Sequence, residues 1–104
     1  MRAATATLRA ETQNADPEYL LRLFVSGITS RSQRAIENLK NICELHLAGR
    51  YRIEVVDLYQ SPALAHEAQI IAIPTLVKVR PFSSRRLIGD LSQADKVLDL
   101  LDIP

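Results

Sequence analysis

The sequence predicts a single α/β domain in which strands and helices follow the order βαβ, then α, then ββα. The length of 104 residues suits one domain with one modest core. Apolar residues recur three and four positions apart over 36–47 and 94–101, as they do on one face of a helix. Short apolar runs over 19–26, 51–59 and 75–80 are typical of strands instead.

The composition is that of an ordinary globular domain. Apolar residues make up 47% of the chain and charged residues 24%, which indicates neither gross disorder nor a membrane protein. The net charge of +1 does not favour a nucleic-acid partner, because such binding depends on phosphate neutralisation. No apolar run approaches a membrane span of about 20 residues, and residues 1–18 lack the apolar segment of a secretion signal. With a single cysteine, a cytoplasmic location is expected.

The first strand and helix are indicated by a buried run followed by helical spacing. The run "YLLRLFVS" over 19–26 is largely apolar and is followed by Gly27. A helix then begins near Ser30, which has the capping-box spacing with Gln33. Gly49 is expected to end it. The apolar face of this helix carries Ile36, Leu39, Cys43 and Leu47.

A second strand and a short helix follow. The strand covers 51–59, where Arg52 and Glu54 alternate with apolar neighbours. The helix has Pro62 at its first position, which suits a residue without an N–H group. It ends before Pro74, because the residue preceding a proline is pushed out of the helical region.

The C-terminal part predicts a hairpin and a helix. "TLVKVR" over 75–80 and "RRLI" over 85–88 are two strands joined by the four-residue loop "PFSS". Gly89 and Asp90 end the hairpin. The helix segment covers 92–103 with Ser92 as its N-cap, and its apolar face carries Ala94, Val97, Leu98 and Leu101.

This order of elements is that of the thioredoxin fold, with a right-handed crossover expected in the βαβ unit. The segment Ile73-Pro74-Thr75 resembles the Ile-Pro-Thr that thioredoxins place beside a pair of redox cysteines. The prediction is therefore a thioredoxin-like domain over 18–104, preceded by a flexible tail over 1–17.

Redox chemistry of the thioredoxin kind is not expected. It needs a thiolate at the N-terminus of the first helix and a second cysteine three residues on. Residues 26–30, Ser-Gly-Ile-Thr-Ser, hold hydroxyls there and no sulfur. The one cysteine, Cys43, lies three to four turns into the helix, where a small core residue is expected. Use of Ser26 or Thr29 to activate a glutathione thiol remains an alternative.

No cofactor, metal or catalytic residue is expected. The three glycines each stand at the end of an element, so the chain has no glycine-rich phosphate loop. His46 and His66 lie on different predicted helices without neighbours at metal-ligand spacing.

Two charged groups are candidate partner-binding sites. Four positive residues lie on the arms of the hairpin and are predicted to converge: Lys78, Arg80, Arg85 and Arg86. They either face solvent or dock an acidic partner through arginine contacts. The strand over 51–59 is expected at the sheet edge in this fold, so Arg52 and Glu54 are predicted to lie on an open row of backbone amides and carbonyls. Such an edge either accepts a partner strand or deters pairing by its charges.

Several stretches of the chain resemble the KaiB family of circadian clock proteins over residues 19–98. They are "YLLRLFVSGITSRSQRAIENLKNI", "YRIEVVDL", "SPALAHEAQIIAIPTLVKV" and "RRLIGDLSQADKVL". The run Arg-Arg-Leu-Ile-Gly-Asp-Leu over 85–91, after an Ile-Pro-Thr-Leu strand, is more characteristic than the fold alone.

The resemblance implies a non-catalytic, fold-switching protein. KaiB-like proteins bind the N-terminal ring of KaiC, a hexameric ATPase and kinase, and sequester KaiA, which promotes its phosphorylation. They adopt a thioredoxin-like monomer and a rearranged, usually tetrameric, ground state. The expected partners are a KaiC-like ATPase, a KaiA-like protein or a competing sensor kinase, and further copies of the chain as a dimer or tetramer. Relatives outside true clocks serve stress-related roles.

Pattern and resemblance together assign roles to twelve residues. Those expected at partner interfaces are Arg52, Glu54, Lys78, Arg80, Arg85 and Arg86. Those expected to control the fold are Pro74, Pro81, Gly89, Asp90, Leu100 and Asp102.

Three of these positions differ from clock-type KaiB. Glu54 stands where the clock members have a lysine, and Pro81 where they have a run of prolines. Leu100 replaces a glycine, which favours the helical form by about 0.8–1 kcal/mol, so the thioredoxin-like state is expected to be the major one.

Two other classes of function stay open at this level. One is a small thioredoxin-like redox or glutathione-dependent enzyme without a Cys-x-x-Cys motif. The other is a self-associating oligomer that has no ATPase partner.

Overall fold

Five strands form one mixed sheet in the order β1-β3-β2-β4-β5. The computed structural model describes the backbone of residues 5–9, 18–27 and 29–103, and the side chains of the last two ranges. The strands are β1 (Thr5–Arg9), β2 (Tyr19–Val25), β3 (Tyr51–Asp57), β4 (Thr75–Arg80) and β5 (Arg85–Ile88). The helices are α1 (Ser30–Leu47), α2 (Ala63–Glu67) and α3 (Ala94–Leu100). Strands β2 and β3 are parallel, and the other pairs are antiparallel.

The predicted order βαβ, α, ββα is confirmed from β2 to α3. The hairpin has the predicted bounds, with Lys78 opposite Arg85 and Leu76 opposite Leu87. The peptide bond before Pro74 is cis. Pairing of β2 with β3 on one side and β4 on the other places β2 in the middle of the sheet, which explains its nearly continuous apolar sequence.

The helix ends differ from the predictions by one or a few residues. The capping box of α1 joins Thr29 and Ser32, one residue before the predicted pair. Helix α2 ends at Glu67 rather than near Pro74, because Gln69 adopts a left-handed conformation with φ of 57°. The N-cap of α3 is Gln93, one residue after the predicted Ser92, whose amide binds the carboxylate of Asp90 instead.

The flexible tail predicted over 1–17 is corrected at one segment, because Thr5–Arg9 form β1 and pair antiparallel with β3. The rest of that range lies outside the described residues. Strand β3 is therefore interior, and the edge predicted at Arg52 and Glu54 is wrong. The physical reason is that a strand edge leaves amides and carbonyls unpaired, and another extended segment of the chain can satisfy them.

The two faces of the sheet are covered unequally. Alternate residues of β2 and β3, such as Leu21, Leu23 and Ile53, point towards α1 and α3 and form the main core. The other face packs Phe24 and Val56 against the single short helix α2. Each large apolar side chain buried in this way stabilises the fold by roughly 1.5–3 kcal/mol. None of the helices in the described ranges has the length and apolarity needed to span a bilayer.

Cys43 belongs to the main core, as predicted. Its side chain is 0% exposed and lies on the buried face of α1 with Leu39 and Leu47. Burial raises the pKa of the Cys43 thiol to about 12, and the carboxylate of Glu44 adds to the effect. The thiol is therefore protonated at neutral pH.

Lys78 is the one charged side chain buried among the described residues, at 1% exposed. Lys78 is two residues after Leu76 on β4, so its side chain lies on the same face of the sheet, towards the main core. The ammonium Nζ lies 3.2 Å from Oδ2 of Asp102, just beyond α3. The ammonium is therefore shielded from solvent together with its stem and is paired with a carboxylate that lies at the protein surface.

The native protein should react slowly with a thiol reagent such as Ellman's reagent, because Cys43 is both inaccessible and protonated. Raising the pH from 7 to 9 should leave the native reaction slow, since both values lie well below a pKa of about 12. The urea-unfolded chain should label fully. Rapid stoichiometric labelling of the folded protein would contradict the assignment.

Removing the charge of Asp102 should destabilise the protein more than removing that of Lys78. Asp102→Asn leaves the buried Lys78 ammonium without its carboxylate, which should lower the free energy of unfolding by about 1–3 kcal/mol. The loss is smaller than for a fully buried ion pair, because Asp102 is exposed. Asparagine is a suitable replacement because it tolerates positive φ. Lys78→Met should be close to neutral and should rescue Asp102→Asn in the double variant. Urea unfolding measures all three; equal stability of Asp102→Asn and wild type would contradict the pairing.

Candidate functional site

The N-terminal end of α1, where a thioredoxin-type nucleophile would stand, is occupied by helix capping. The hydroxyl of Thr29 accepts from the amide of Ser32 at 3.0 Å, and Ser32 Oγ accepts from the amide of Thr29 at the same distance. Ser32 Oγ also lies 3.0 Å from the carbonyl of Gly27. These hydroxyls satisfy amides that the first helical turn leaves unpaired. Ile28, within the same stretch, lies outside the described residues.

The four positive residues of the hairpin do not converge, so that prediction is wrong. Side chains alternate along a strand, and paired residues share a face. Lys78 and Arg85 are opposite each other and both reach Asp102 beside α3. Arg86 is opposite Val77 on the face that carries α2. Arg80 is exposed at the end of β4.

Arg85 binds the C-terminal end of α3. Its Nη1 donates to the backbone carbonyl of Asp99 at 3.0 Å, and its Nη2 lies 3.2 Å from the carboxylate of Asp99. A second, longer ion pair of 3.4 Å joins it to Asp102. A positive group at the end of a helix favours the helix, because the last carbonyls carry partial negative charge.

Helix α3 ends in a Schellman motif. The amide of Ile103 binds the carbonyl of Leu98 at 2.9 Å, and the amide of Asp102 binds that of Asp99 at 3.1 Å. Asp102 has a φ of 60°, the left-handed conformation for which glycine is usual. Its carboxylate accepts from both Lys78 and Arg85, which offsets the cost of that conformation.

Helix α2 ends in the same way on the opposite face. The amide of Ile70 binds the carbonyl of Ala65 at 2.8 Å, and Gln69 takes the left-handed position. Arg86 donates to the carbonyls of Ala68 and Gln69, which lie just beyond the helix. Two adjacent residues of β5 thus bind the ends of two helices. We call Arg85 and Arg86, with the helix ends they bind, the arginine clamp.

The turn after β5 ties the hairpin to the loop before β4. Gly89 has a φ of 128°, a backbone conformation that residues with a side chain rarely adopt. Its amide donates to the carbonyl of Pro74 at 2.9 Å. Pro81 is half-buried at the start of the hairpin loop. The φ of Gly89 explains why a glycine stands there, and a role of Pro81 and Gly89 in controlling the fold stays a prediction.

Asp90 links this turn to α1 and to the start of α3. Its carbonyl accepts from Asn38 at 2.9 Å, and its carboxylate lies 3.5 Å from Arg34. Hydrogen bonds from Ser92 hold the pKa of the Asp90 carboxyl below its usual range, with a smaller contribution from Arg34. Because the folded pKa is lowered, this stabilisation is present at neutral pH and is lost as the pH falls through the folded value.

Glu54 is engaged within the sheet. Its Oε1 lies 2.9 Å from Nε of Arg22 on the neighbouring strand, on the face that carries α2. Arg52 lies on the same face of the sheet, two residues before Glu54 along β3. With β1 paired along β3, neither residue lies on an open backbone edge of the described sheet.

Exposed apolar side chains lie near Pro74, where sequence reasoning assigned none. Ile71 is 92% exposed, and Ile73 and Ile88 are partly exposed. Phe82 is 93% exposed but lies at the opposite end of β4, at the hairpin tip. Ile71 and Ile73 also line an apolar groove of about 240 Å³ beside α2. The signal in the sequence was the run "IIAI" over 70–73, which is apolar yet too close to Pro74 to continue a helix.

No group of three or more His, Cys, Asp or Glu in the described ranges is arranged to hold a metal ion. The described residues instead form two features, the arginine clamp and the exposed apolar side chains beside α2 and the hairpin.

Solved structures with a thioredoxin-like fold resemble the chain. The N-terminal domain of Synechococcus elongatus SasA aligns with a TM-score of 0.68 and 24% identity, covering 91% of this chain and 93% of that one. Mitochondrial thioredoxin 3 of Saccharomyces cerevisiae aligns with a TM-score of 0.66 and 18% identity, covering 84% and 80%. At these identities the likeness shows the fold, and it confirms the predicted thioredoxin-like class.

Sequence comparison identifies the family. Residues 22–103 match the KaiB domain. The circadian clock oscillator protein KaiB of Synechococcus elongatus is 49% identical over 85 residues, which cover 82% of this chain and 83% of that protein. KaiB of Prochlorococcus marinus is 47% identical over 90 residues, covering 86% and 84%. With a family match from β2 to just beyond α3 and relatives this similar, the chain belongs to the KaiB family.

Proposed function

We propose that this chain is a non-catalytic regulatory protein that docks on the ring of a KaiC-like ATPase and modulates its phosphorylation or ATPase cycle. The observation that carries the proposal is the KaiB match over 22–103, which includes the arginine clamp and the exposed surface beside it. The name of the relatives, circadian clock oscillator protein, supports a regulatory role in timing. A stress-related role with another KaiC-like ATPase is the variant of the same proposal. Action in the cytoplasm suits a chain with one cysteine.

The docking surface that we infer lies at the β4–β5 end of the sheet. It runs along the hairpin, with Ile71 and Ile88 exposed at the Pro74 end and Phe82 and the cation of Arg80 exposed at the tip. Apolar contacts in the centre and charged groups at the rim are the usual anatomy of a protein interface. Lys78 is not part of this surface, because its side chain is buried. Arg85 and Arg86 contribute to it through the helix ends that they hold.

An enzymatic function is less well supported. The hydroxyls of Thr29 and Ser32 are engaged in capping α1, and the Cys43 thiol is buried with a raised pKa. Neither supplies an accessible, activated nucleophile. We therefore expect no turnover in insulin-reduction or glutathione-conjugation assays; turnover that Ser26, Thr29 or Cys43 substitutions abolish would overturn the proposal.

We also infer that the C-terminal half is where a second fold would arise. The clamp joins α2, β5 and α3, so a rearrangement of this half must release both arginines from the helix ends. Leu100, Asp102 and Gly89 each stabilise the present arrangement, through burial, ion pairs and a left-handed turn respectively. Dimers or tetramers of the chain belong to that second state in this proposal. A KaiA-like protein or a sensor kinase is a secondary candidate partner.

A charge reversal at Arg80 should weaken docking without loss of stability. Arg80→Glu alters an exposed strand end, and a rim charge typically contributes about 1 kcal/mol or less, mostly through the association rate. Binding to a purified KaiC hexamer, measured by biolayer interferometry at low and high salt, should show the loss mainly at low salt. Unchanged affinity at low salt would remove Arg80 from the interface.

The matched reversal Arg86→Glu should instead act on stability. It removes two hydrogen bonds to carbonyls at the end of α2 and places a negative charge there, which should cost about 1–2 kcal/mol. Urea unfolding of Arg86→Glu and Arg80→Glu side by side tests it; equal stabilities would contradict the clamp.

Leu100→Gly should destabilise the present fold by more than the loss of helix propensity alone, and so shift the population away from it. Leu100 is 3% exposed in the main core, so a burial loss of about 2–5 kcal/mol adds to about 1 kcal/mol of propensity. Leu45→Gly is the matched control, because Leu45 lies within α1 but is 78% exposed. Backbone chemical shifts over 92–103 should lose helical character only in Leu100→Gly. Equal effects of the two substitutions on the free energy of unfolding would contradict the packing argument.

A further inference from the structure

A cavity of about 320 Å³ lies between the start of α1, the turn after β5 and α3. Its walls are Arg31 of α1, residues 87–93, and Lys96 of α3. It shares no lining residue with the apolar groove beside α2. Small-molecule pockets begin at about 300 Å³, so this cavity suits a small ligand rather than a large cofactor.

Two positive side chains from different helices line this cavity and are left unpaired. Arg31 and Lys96 are exposed, and the side chain of neither forms an ion pair or a hydrogen bond with a residue that the structure describes. Clefts lined by one sign of charge attract ligands of the opposite sign. The two cations therefore favour an anionic ligand.

The one carboxylate among the lining residues, that of Asp90, is already engaged. Its Oδ1 accepts from the amide of Ser92 at 3.1 Å, and its Oδ2 lies 3.5 Å from Nε of Arg34, which is not part of the cavity wall. The negative charge of Asp90 is thus balanced by Arg34. The charges of Arg31 and Lys96 remain for a ligand.

The wall between the two cations is held in place by the rest of the fold. Leu91 has a buried side chain in the main core, which anchors the turn over 89–92. Asn38 of α1 fixes the same turn by donating to the carbonyl of Asp90 at 2.9 Å. Leu87 packs partly against the core and gives the cavity an apolar side. A wall that is formed before a ligand arrives lowers the entropic cost of binding.

We propose that this cavity binds a small phosphate monoester, with the phosphoryl group between Arg31 and Lys96 and the organic part against Leu87. Such a group carries about 1.5 to 2 negative charges at pH 7, which matches two cations. Its oxygens can also accept the parallel hydrogen bonds of a guanidinium. The cavity lies on the side of the sheet that carries α1 and α3, and the inference does not depend on docking to a KaiC-like ATPase.

A ligand in this cavity would join α1 to the turn after β5 and to α3. It would bind only while these elements keep their present positions. By mass action it would therefore stabilise this fold against unfolding, and against any rearrangement of the C-terminal half.

Amide chemical shifts of the full chain test the site, with phenyl phosphate as the probe. Phenyl sulfate is the matched ligand control, because it has the same ring and carries less negative charge at pH 7. Arg31→Gln and Lys96→Gln each remove one cation from the cavity wall, and both side chains are exposed, so the fold should stay intact. Lys40→Gln is the matched variant control, because Lys40 is an exposed cation of α1 that does not line the cavity.

Phenyl phosphate should shift the amides of residues 87–96 and of the first turn of α1 saturably, and should bind at least about threefold more tightly than phenyl sulfate. Arg31→Gln and Lys96→Gln should each weaken its binding about three- to fivefold, as expected for partly solvated ion pairs. Lys40 lies about 13 Å further along α1 than Arg31, so at about 0.1 M ionic strength Lys40→Gln should change the affinity by less than about twofold.

Three results would overturn the proposal. The first is the absence of saturable shifts in residues 87–96, and the second is equal affinity for the two ligands. The third is a loss of affinity in Lys40→Gln as large as in either cavity variant, or a loss in only one of the two cavity variants.

Urea unfolding supplies a second measurement that does not rely on chemical shifts. Phenyl phosphate at about ten times its dissociation constant should raise the urea midpoint of wild type and of Lys40→Gln. The same concentration should raise the midpoints of Arg31→Gln and Lys96→Gln less. Equal increases in all four chains, or no increase in wild type, would contradict binding in this cavity.

Discussion

The C-terminal half of this protein depends on how β5 binds two helix ends at once. Arg85 and Arg86 are adjacent in a strand, so their side chains point to opposite faces of the sheet. One reaches the carbonyl of Asp99 at the end of α3, and the other reaches carbonyls beyond α2. Both helices are short, and a short helix has little intrinsic stability of its own. The hydrogen bonds from β5 therefore matter more here than they would at the end of a long helix.

This arrangement couples elements that would otherwise be independent. Asp102 ends α3 in a left-handed conformation and binds both Lys78 of β4 and Arg85 of β5. Loss of the helix end would leave the Lys78 ammonium, which has a buried stem, without its carboxylate. The hairpin and the end of α3 therefore stabilise each other through these two ion pairs.

Thioredoxin-type redox chemistry needs a thiolate at the N-terminal end of the first helix of this scaffold, whereas here that end carries hydroxyls. The first turn of α1 has its unpaired amides satisfied by Thr29 and Ser32, residues that carry hydroxyls. The one thiol of the chain is placed in the core instead, where burial keeps it protonated. The exposed apolar side chains near Pro74 belong to the surface that we propose for docking.

The sequence by itself determined the order of elements from β2 to α3, the bounds of the hairpin and the burial of Cys43. These follow from periodicity and from proline and glycine signals, which act over a few residues. Through the run over 85–91 it also indicated the family. Helix ends were less well predicted, since several hydroxyls compete to cap α1 within a few residues and the choice of Thr29 is a matter of local geometry.

Only the tertiary structure decided which charged residues meet. Lys78, Arg85 and Arg86 look like one positive group in the sequence, but strand alternation and the positions of α2 and α3 separate them and give each a different partner. In the same way, nothing local to "TATLR" shows that it pairs with β3, because strand pairing joins residues about fifty positions apart. Contacts between distant segments depend on how the whole sheet is assembled, and sequence patterns that act over one or two turns do not contain that information.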